Sequence, residues 1–125
     1  MKTPADSELA VLQLLWDHER LTARQIAELL YPKQTSSDLA TVQKLIQRLE
    51  KKGLAGRDRT SFVHAIFATI TCNEFAKQRL AETAEKLTRG SLKPLLIHLV
   101  ETDQLSPEEL DEIYKLLNKH RKKHK

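Results

Sequence analysis

The sequence contains little cysteine, glycine or aromatic residue, and each shortage narrows the kind of protein it encodes. A single cysteine, Cys72, excludes a fold stapled by internal disulfides, because it has no partner in the chain. Three glycines and 5% aromatic residues favour helices over an all-β design. The most apolar window, residues 92–100, is too short to cross a bilayer, and no apolar stretch follows residues 1–6 as in a signal peptide. We therefore expect a cytoplasmic protein without membrane contact.

Charged side chains are distributed unevenly along the chain. Residues 1–71 carry ten lysines and arginines against eight acids, whereas residues 72–118 carry six against nine. The last seven residues, 119–125, carry five basic side chains and no acidic one. The excess of basic side chains in residues 1–71 and 119–125 indicates that one of these two regions binds a polyanion. For the tail, a solvated and disordered segment explains the same composition equally well.

Two helices are predicted at the front of the chain. The first begins after a cap at Asp6 or Ser7 and continues to about residue 17, with apolar residues at helical spacing. The second opens with a capping box of Thr22 and Gln25. It ends at Tyr31, because the next residue is a proline and disfavours a helical residue before it.

The third predicted helix covers residues 38–52, after a polar linker at residues 33–37, and ends at Gly53 in a left-handed conformation. Its residues separate into an apolar and a polar face. The apolar face consists of Leu39, Val42, Leu45, Ile46 and Leu49. The polar face, called the polar row below, consists of Thr41, Gln43, Lys44, Gln47, Arg48 and Lys51.

After this helix the pattern changes to the alternation typical of strands. Residues 54–59 and 63–70 predict two strands joined at Thr60 and Ser61. Three helices followed by a hairpin define a winged helix-turn-helix domain, in which the third helix enters the DNA major groove. The hairpin is the wing of such a domain.

The polar row has side chains suited to reading DNA. Glutamine pairs with adenine, lysine reaches guanine and threonine contacts the thymine methyl group. Arg48 and Lys51, near the helix end, fit phosphates, and Arg57 and Arg59 of the wing fit the backbone or a minor groove. Taken alone, the row also fits a solvated helix face, and the wing arginines fit a charged strand edge. The winged-helix context favours DNA binding.

Three amphipathic helices are predicted in the rear of the chain, at residues 73–88, 91–101 and 106–120. About fifty residues cannot bury three apolar stripes alone, so a second copy of the chain would cover them. The alternative is that these helices pack onto the winged domain within a monomer. The predicted dimerisation residues are Leu92, Leu95, Leu96, Leu99, Leu110, Ile113 and Leu117.

The predicted fold class is mainly α with a small β-hairpin. Residues 1–71 form a winged helix-turn-helix DNA-binding domain, and residues 72–118 form a helical dimerisation domain. Residues 119–125 form a basic tail that we expect to be disordered.

The sequence gives no support to an enzyme. Cys72 has no base beside it and is interpreted as an incidental thiol. Only His120 and His124 have a spacing weakly compatible with zinc. No glycine-rich phosphate loop is present. We therefore expect no catalytic residue, no metal and no cofactor.

Several stretches resemble the penicillinase-repressor family, also called the BlaI/MecI/CopY family. The resemblance covers about residues 8–118. Its stretches are residues 8–16 (ELAVLQLLW), 21–26 (LTARQI), 40–54 (ATVQKLIQRLEKKGL), 90–92 (GSL) and 105–110 (LSPEEL). The resemblance implies a winged-helix repressor, dimeric through its C-terminal helices and bound to a palindromic operator near a promoter.

The resemblance also bears on specificity and regulation. It places Thr41, Gln43 and Lys44 where family members touch bases, although members often carry a small hydroxyl residue in place of Lys44. Resistance-linked members are cut by a sensor protease at an Asn-Phe bond, and the aligned pair here is His98-Leu99. Copper-responsive members carry a C-terminal Cys-x-Cys motif that this chain lacks. The resemblance therefore predicts neither β-lactam nor copper sensing.

The sequence predicts a transcriptional repressor that binds specific double-stranded DNA and occludes a promoter as a homodimer. The alternative is a winged-helix module that binds another protein. The polar row argues against it, because protein-binding versions often expose aromatic or aliphatic residues there. The regulated genes, the inducing signal and any upstream sensor protein stay open.

Overall fold

The computed structural model describes residues 3–33 and 35–123, so Gln34 of the predicted linker lies outside it. The chain forms two compact units that divide between Lys77 and Gln78, rather than at residue 72. The elements are α1 (Asp6–His18), β1 (Arg20–Thr22), α2 (Ala23–Leu30), α3 (Ser36–Lys51), β2 (Ala55–Asp58), β3 (Ala65–Ala68), α4 (Cys72–Thr88), α5 (Lys93–Glu101) and α6 (Pro107–Lys123).

The first unit contains a three-stranded antiparallel sheet with the order β1-β3-β2. Ile66 of β3 pairs with Leu21 of β1 on one side and with Arg57 of β2 on the other. The two predicted wing strands are present as β2 and β3, and with α1 to α3 they form the predicted winged helix. Strand β1 was not predicted, because three residues are too short to show an alternating pattern.

One hydrophobic core holds the first unit together. Helices α1 to α3, the start of α4 and all three strands contribute to it, and the predicted apolar face of α3 is buried except for half-buried Leu39. Trp16 closes one side of this core: its ring lies 5.5 Å from that of Phe75, and its Nε1 donates to the Ile70 carbonyl at 2.8 Å. The buried residues are Val11, Leu12, Leu15, Leu21, Ile26, Ala27, Val42, Leu45, Ile46, Leu49, Leu54, Ala55, Ile66 and Phe75.

Two predicted helix starts are confirmed by their capping bonds. The Gln25 amide donates to Thr22 Oγ1 at 3.1 Å, and the Thr22 amide donates to Gln25 Oε1 at 2.9 Å. Ser106 and Glu109 make the same reciprocal pair at the start of α6, at 3.1 and 2.9 Å. These bonds satisfy amides that the first turn of a helix leaves without partners.

Other predicted helix starts are displaced by one or two residues. The cap of α1 is Ala5, whose amide donates to the Glu8 carboxylate at 3.1 Å. Helix α4 starts after Thr71, whose hydroxyl accepts from the Glu74 amide at 3.0 Å. The predicted cap of the first helix was Asp6 or Ser7, and the predicted starts of the fourth and fifth helices were residues 73 and 91. The observed caps are Ala5, Thr71 and Leu92.

The second unit contains the remainder of α4, with α5 and α6. Neither α5 nor α6 has a buried residue among those described. Helix α6 continues through Lys123, so residues 119–123 of the predicted disordered tail are helical. The negative end of a helix dipole favours cations in its last turn, which fits this basic terminus. His124 and Lys125 lie outside the described residues.

Candidate nucleic-acid interface

Helix α3 is defined at both ends by hydrogen bonds. At its start, the Thr35 amide donates to the Asp38 carboxylate at 2.7 Å. At its end, the Gly53 amide donates to the Glu50 carbonyl at 3.0 Å and the Leu54 amide to the Leu49 carbonyl at 2.9 Å. Gly53 has φ of 76°, which is the left-handed conformation predicted from the sequence. The helix therefore has a fixed length and a fixed exit direction.

The polar row of α3 is exposed along its whole length. All six side chains are exposed, opposite the face that enters the core. The Thr41 hydroxyl donates to the Ser37 carbonyl at 3.0 Å, so its methyl group and one oxygen lone pair remain for an outside partner. Helical spacing places Lys44, Gln47 and Lys51 at the centre of the solvent face, with Thr41 and Gln43 on its two flanks. The row is thus a continuous surface of hydrogen-bonding and cationic groups.

A buried ion pair holds the C-terminal end of α3 against α1. Lys52 Nζ donates to Glu8 Oε2, and it also reaches the Thr3 carbonyl at 3.3 Å. Burial alone would raise the pKa of the Glu8 carboxyl, but the hydrogen bonds from Lys52 and the Ala5 amide outweigh it and lower the pKa. Glu8, a residue with no role in the sequence prediction, therefore works as an ionised anchor for α3.

The two predicted wing arginines occupy different environments. Arg57 is partly buried: its Nη2 donates to Glu50 Oε1 at 2.8 Å, and its Nη1 donates to His64 Nδ1 at 3.4 Å. It therefore ties β2 to α3. Arg59 is exposed beyond the end of β2 and is available to a partner. The wing retains Arg59 as an outward cation, while Arg57 has a structural contact in addition to any contact with DNA.

The turn after β2 is closed by Asp58. Its Oδ1 accepts from the Thr60 hydroxyl at 2.7 Å and the Thr60 amide at 2.9 Å, and its Oδ2 accepts from Arg20 at 3.1 Å. The two bonds from Thr60, with the Arg20 charge as a lesser cause, hold the pKa of the Asp58 carboxyl below its usual value. These contacts fix the direction in which the wing leaves the sheet.

The sequence prediction missed an apolar wing tip and a cleft beside it. Phe62 is fully exposed and Val63 is 59% exposed. Both line a cleft of about 310 Å³ together with Gln43 of the polar row and with Arg24. The sequence predicted a strand over residues 63–70, which includes Val63. In the structure β3 begins only at Ala65, so Val63 belongs to the exposed tip.

The predicted dimerisation residues lie in the second unit and none of the seven is buried. Leu95 and Ile113 are half-buried, and the other five are between 37% and 52% exposed. A groove of about 560 Å³ between α5 and α6 is lined by Leu96, Leu110, Ile113 and Leu117 of this set. The other exposed apolar side chains of α5 and α6 are Ile97, Val100, Tyr114 and Leu116.

The described residues give no support to a metal site or to a membrane-spanning helix. Across residues 3–33 and 35–123, no three histidine, cysteine or acidic side chains are grouped closely enough to hold a metal ion. Within the same residues, no helix has the length and apolar character needed to cross a membrane. Cys72 is exposed at the start of α4.

Comparison with known proteins gives a family match and similar proteins over most of the chain. The family model described as penicillinase repressor matches residues 4–119. The penicillinase repressor of Bacillus licheniformis is 26% identical over 121 residues, which are 97% of this chain and 94% of that protein. The methicillin resistance regulatory protein MecI of Staphylococcus aureus strain N315 is 24% identical over 115 residues, which are 92% of this chain and 93% of MecI. Among solved structures, MepR of S. aureus aligns with a TM-score of 0.49 and 23% identity, over 96% of this chain and 78% of MepR.

Proposed function

The chain belongs to the penicillinase repressor family, and on this premise we propose that it binds a specific double-stranded DNA operator as a homodimer. Members of this family are transcriptional repressors rather than enzymes. A dimer with two-fold symmetry would recognise a palindromic site and block access to a promoter. A repressor works where the promoter lies, so the proposal includes a cytoplasmic location.

The polar row of α3 carries the proposal. Its six side chains are exposed on a helix whose opposite face is locked into the core, so they can enter a major groove without any change of fold. Gln43 and Lys44 are assigned to base edges and Arg48 and Lys51 to phosphates. Arg59 of the wing is assigned to the backbone beside them.

The apolar faces of α5 and α6 support pairing of two chains. Their side chains line a groove of about 560 Å³ and are exposed in the single chain. A second copy that covers this surface would remove apolar area from water, and each Å² removed stabilises the dimer by roughly 25 cal/mol. Two copies joined in this way would present two polar rows to two half-sites.

The DNA-binding part is tested by fluorescence anisotropy with a duplex from upstream of the gene and a scrambled duplex of equal length. We expect the protein to prefer the native duplex by a factor of roughly a thousand or more. Replacing Gln43 and Lys44 together with alanine should remove most of this preference. The matched control replaces Gln13 and Lys77, which are exposed outside α3, with alanine and should keep it. Retained preference in the Gln43/Lys44 variant would refute the assignment of α3.

The dimer is tested by sedimentation velocity. Leu99→Glu places a charge in the apolar surface of α5 and should shift the protein from dimer towards monomer. Leu29→Glu is the matched control, because Leu29 of α2 is 47% exposed and Leu99 is 42% exposed. A Leu99→Glu variant that sediments like the unmodified protein would exclude α5 from the interface.

A further inference from the structure

The wing ends in two adjacent apolar side chains with little protein around them. Phe62 is 102% exposed, which means that its ring has no cover from the fold, and Val63 is 59% exposed. Phenylalanine is among the residues most often buried in proteins, and an exposed aromatic beside a second apolar residue marks a contact surface. The Asp58–Thr60 bonds hold the start of this loop, so the tip projects from a fixed base.

The position of the tip relates it to the polar row. Phe62 and Val63 share the cleft of about 310 Å³ with Gln43, and Arg57, which also lines this cleft, is held by Glu50 of α3. A duplex lying along α3 therefore brings its backbone, and the minor groove next to it, to the wing tip.

The charge around the cleft indicates the class of partner. Its lining includes the exposed Arg24 and contains no acidic residue, while the charge of Arg57, also in the lining, is balanced by Glu50. The exposed Arg59 lies three residues before Phe62. A surface with cations around an apolar centre fits DNA, which has anionic phosphates beside the apolar edges of deoxyribose and bases.

We propose that Phe62 and Val63 form an apolar contact with the minor groove at the flank of each half-site, with Phe62 packed against deoxyribose and base edges. This inference rests on the proposed function. The contact would make the protein sensitive to the DNA sequence at a position flanking each half-site, through the shape and deformability of the minor groove rather than through hydrogen bonds.

The test compares Phe62→Ala with Arg59→Ala on the native duplex across a salt series. Phe62→Ala should weaken binding roughly tenfold, in the range of aromatic contacts with bases. It removes no charge, so the slope of log affinity against log salt should stay unchanged. Arg59→Ala should reduce the magnitude of that slope by about 1, as expected for the loss of one phosphate contact. Leu29→Ala, which removes another exposed apolar side chain, should change neither quantity.

Trimming the duplex inward from both ends provides a second measurement. The difference between the unmodified protein and Phe62→Ala should disappear once the flanking minor grooves are removed, while the preference conferred by Gln43 and Lys44 persists. Because Phe62 is fully exposed, its removal should leave the melting temperature unchanged and the fold intact.

Other results would overturn the inference and identify its rival. Equal affinity of Phe62→Ala and the unmodified protein, with preference still lost in the Gln43/Lys44 variant, would refute the wing contact and leave the proposed function standing. A Phe62→Ala variant that sediments as a monomer would assign the tip to a contact between chains. Absence of binding to every duplex by the unmodified protein would refute both proposals together.

Discussion

Replacing Glu8 with glutamine probes the anchor that holds α3 against α1. In the folded protein, the carboxylate accepts from Lys52 and from the Ala5 amide in a nearly water-free position. The amide of glutamine keeps the shape but leaves the ammonium of Lys52 without a counter-charge. A charge-assisted hydrogen bond contributes about 1.5–3 kcal/mol and a neutral one about 1 kcal/mol, so we expect a loss of about 1 kcal/mol. For a domain of this size, about 1 kcal/mol corresponds to a melting temperature lowered by roughly 4–8 °C.

The effect should depend on pH with a definite sign. The pKa of Glu8 lies below its ordinary value of 4.5 in the folded protein, so the carboxylate stabilises the fold above that pH. The stabilisation is lost as the pH falls through the lowered pKa. The stability gap between the unmodified protein and Glu8→Gln should therefore be complete at neutral pH and should narrow as the solution is acidified below 4.5.

Urea unfolding at fixed protein concentration measures this gap, because a dimer makes stability concentration-dependent. The single tryptophan, Trp16, packs on Phe75 inside the first unit and reports its unfolding by fluorescence. Glu28→Gln is the matched control, since Glu28 is exposed on α2, and it should change stability by less than about 0.5 kcal/mol. Equal urea midpoints for Glu8→Gln and the unmodified protein at neutral pH, or a gap that widens in acid, would contradict the anchor.

Three further substitutions test local features by the same fluorescence signal. Gly56→Ala places a Cβ 2.7 Å from the Phe67 ring, so the ring must shift, and we expect a loss of about 1–2 kcal/mol; an unchanged midpoint would mean that the ring moves freely. Gly53→Ala meets no atom within 4 Å but must adopt φ of 76°, so we expect a loss of about 1–2 kcal/mol that Gly53→Asn partly restores. Thr22→Ala removes the cap bonded to Gln25 and should cost about 1 kcal/mol, whereas Thr22→Ser should keep most of it.

Features governed by local chemistry were predictable from the sequence. The capping box at Thr22, the left-handed Gly53 and the two faces of α3 each depend on residues a few positions apart. The winged-helix fold followed from their order along the chain. The six exposed positions of the polar row emerged from the same periodicity.

Features governed by distant contacts were not predictable. Glu8 is a charged residue near a helix start, and its burial became visible only through Lys52, which is 44 positions away in the chain. Arg57 was assigned to the wing surface, yet its guanidinium is held by Glu50 of another element. The exposure of Phe62 likewise depends on where the strand pairing stops, which a roughly alternating sequence does not specify.

The attachment of α3 has a consequence for how this protein can change over evolutionary time. The helix is held by its buried face, by Lys52 and by the hydrogen bonds around Gly53. Of the polar row, Arg48 takes part in this attachment, because its carbonyl accepts from the Lys52 amide and its charge helps to lower the pKa of the Glu8 carboxyl. The Thr41 hydroxyl donates to the Ser37 carbonyl of its own helix. The side chains that hold the helix and the two side chains proposed to read base edges, Gln43 and Lys44, are therefore separate sets. Under the proposed function, new preferences for DNA sequence can arise by substitution at Gln43 and Lys44, at little thermodynamic cost to the domain that displays them.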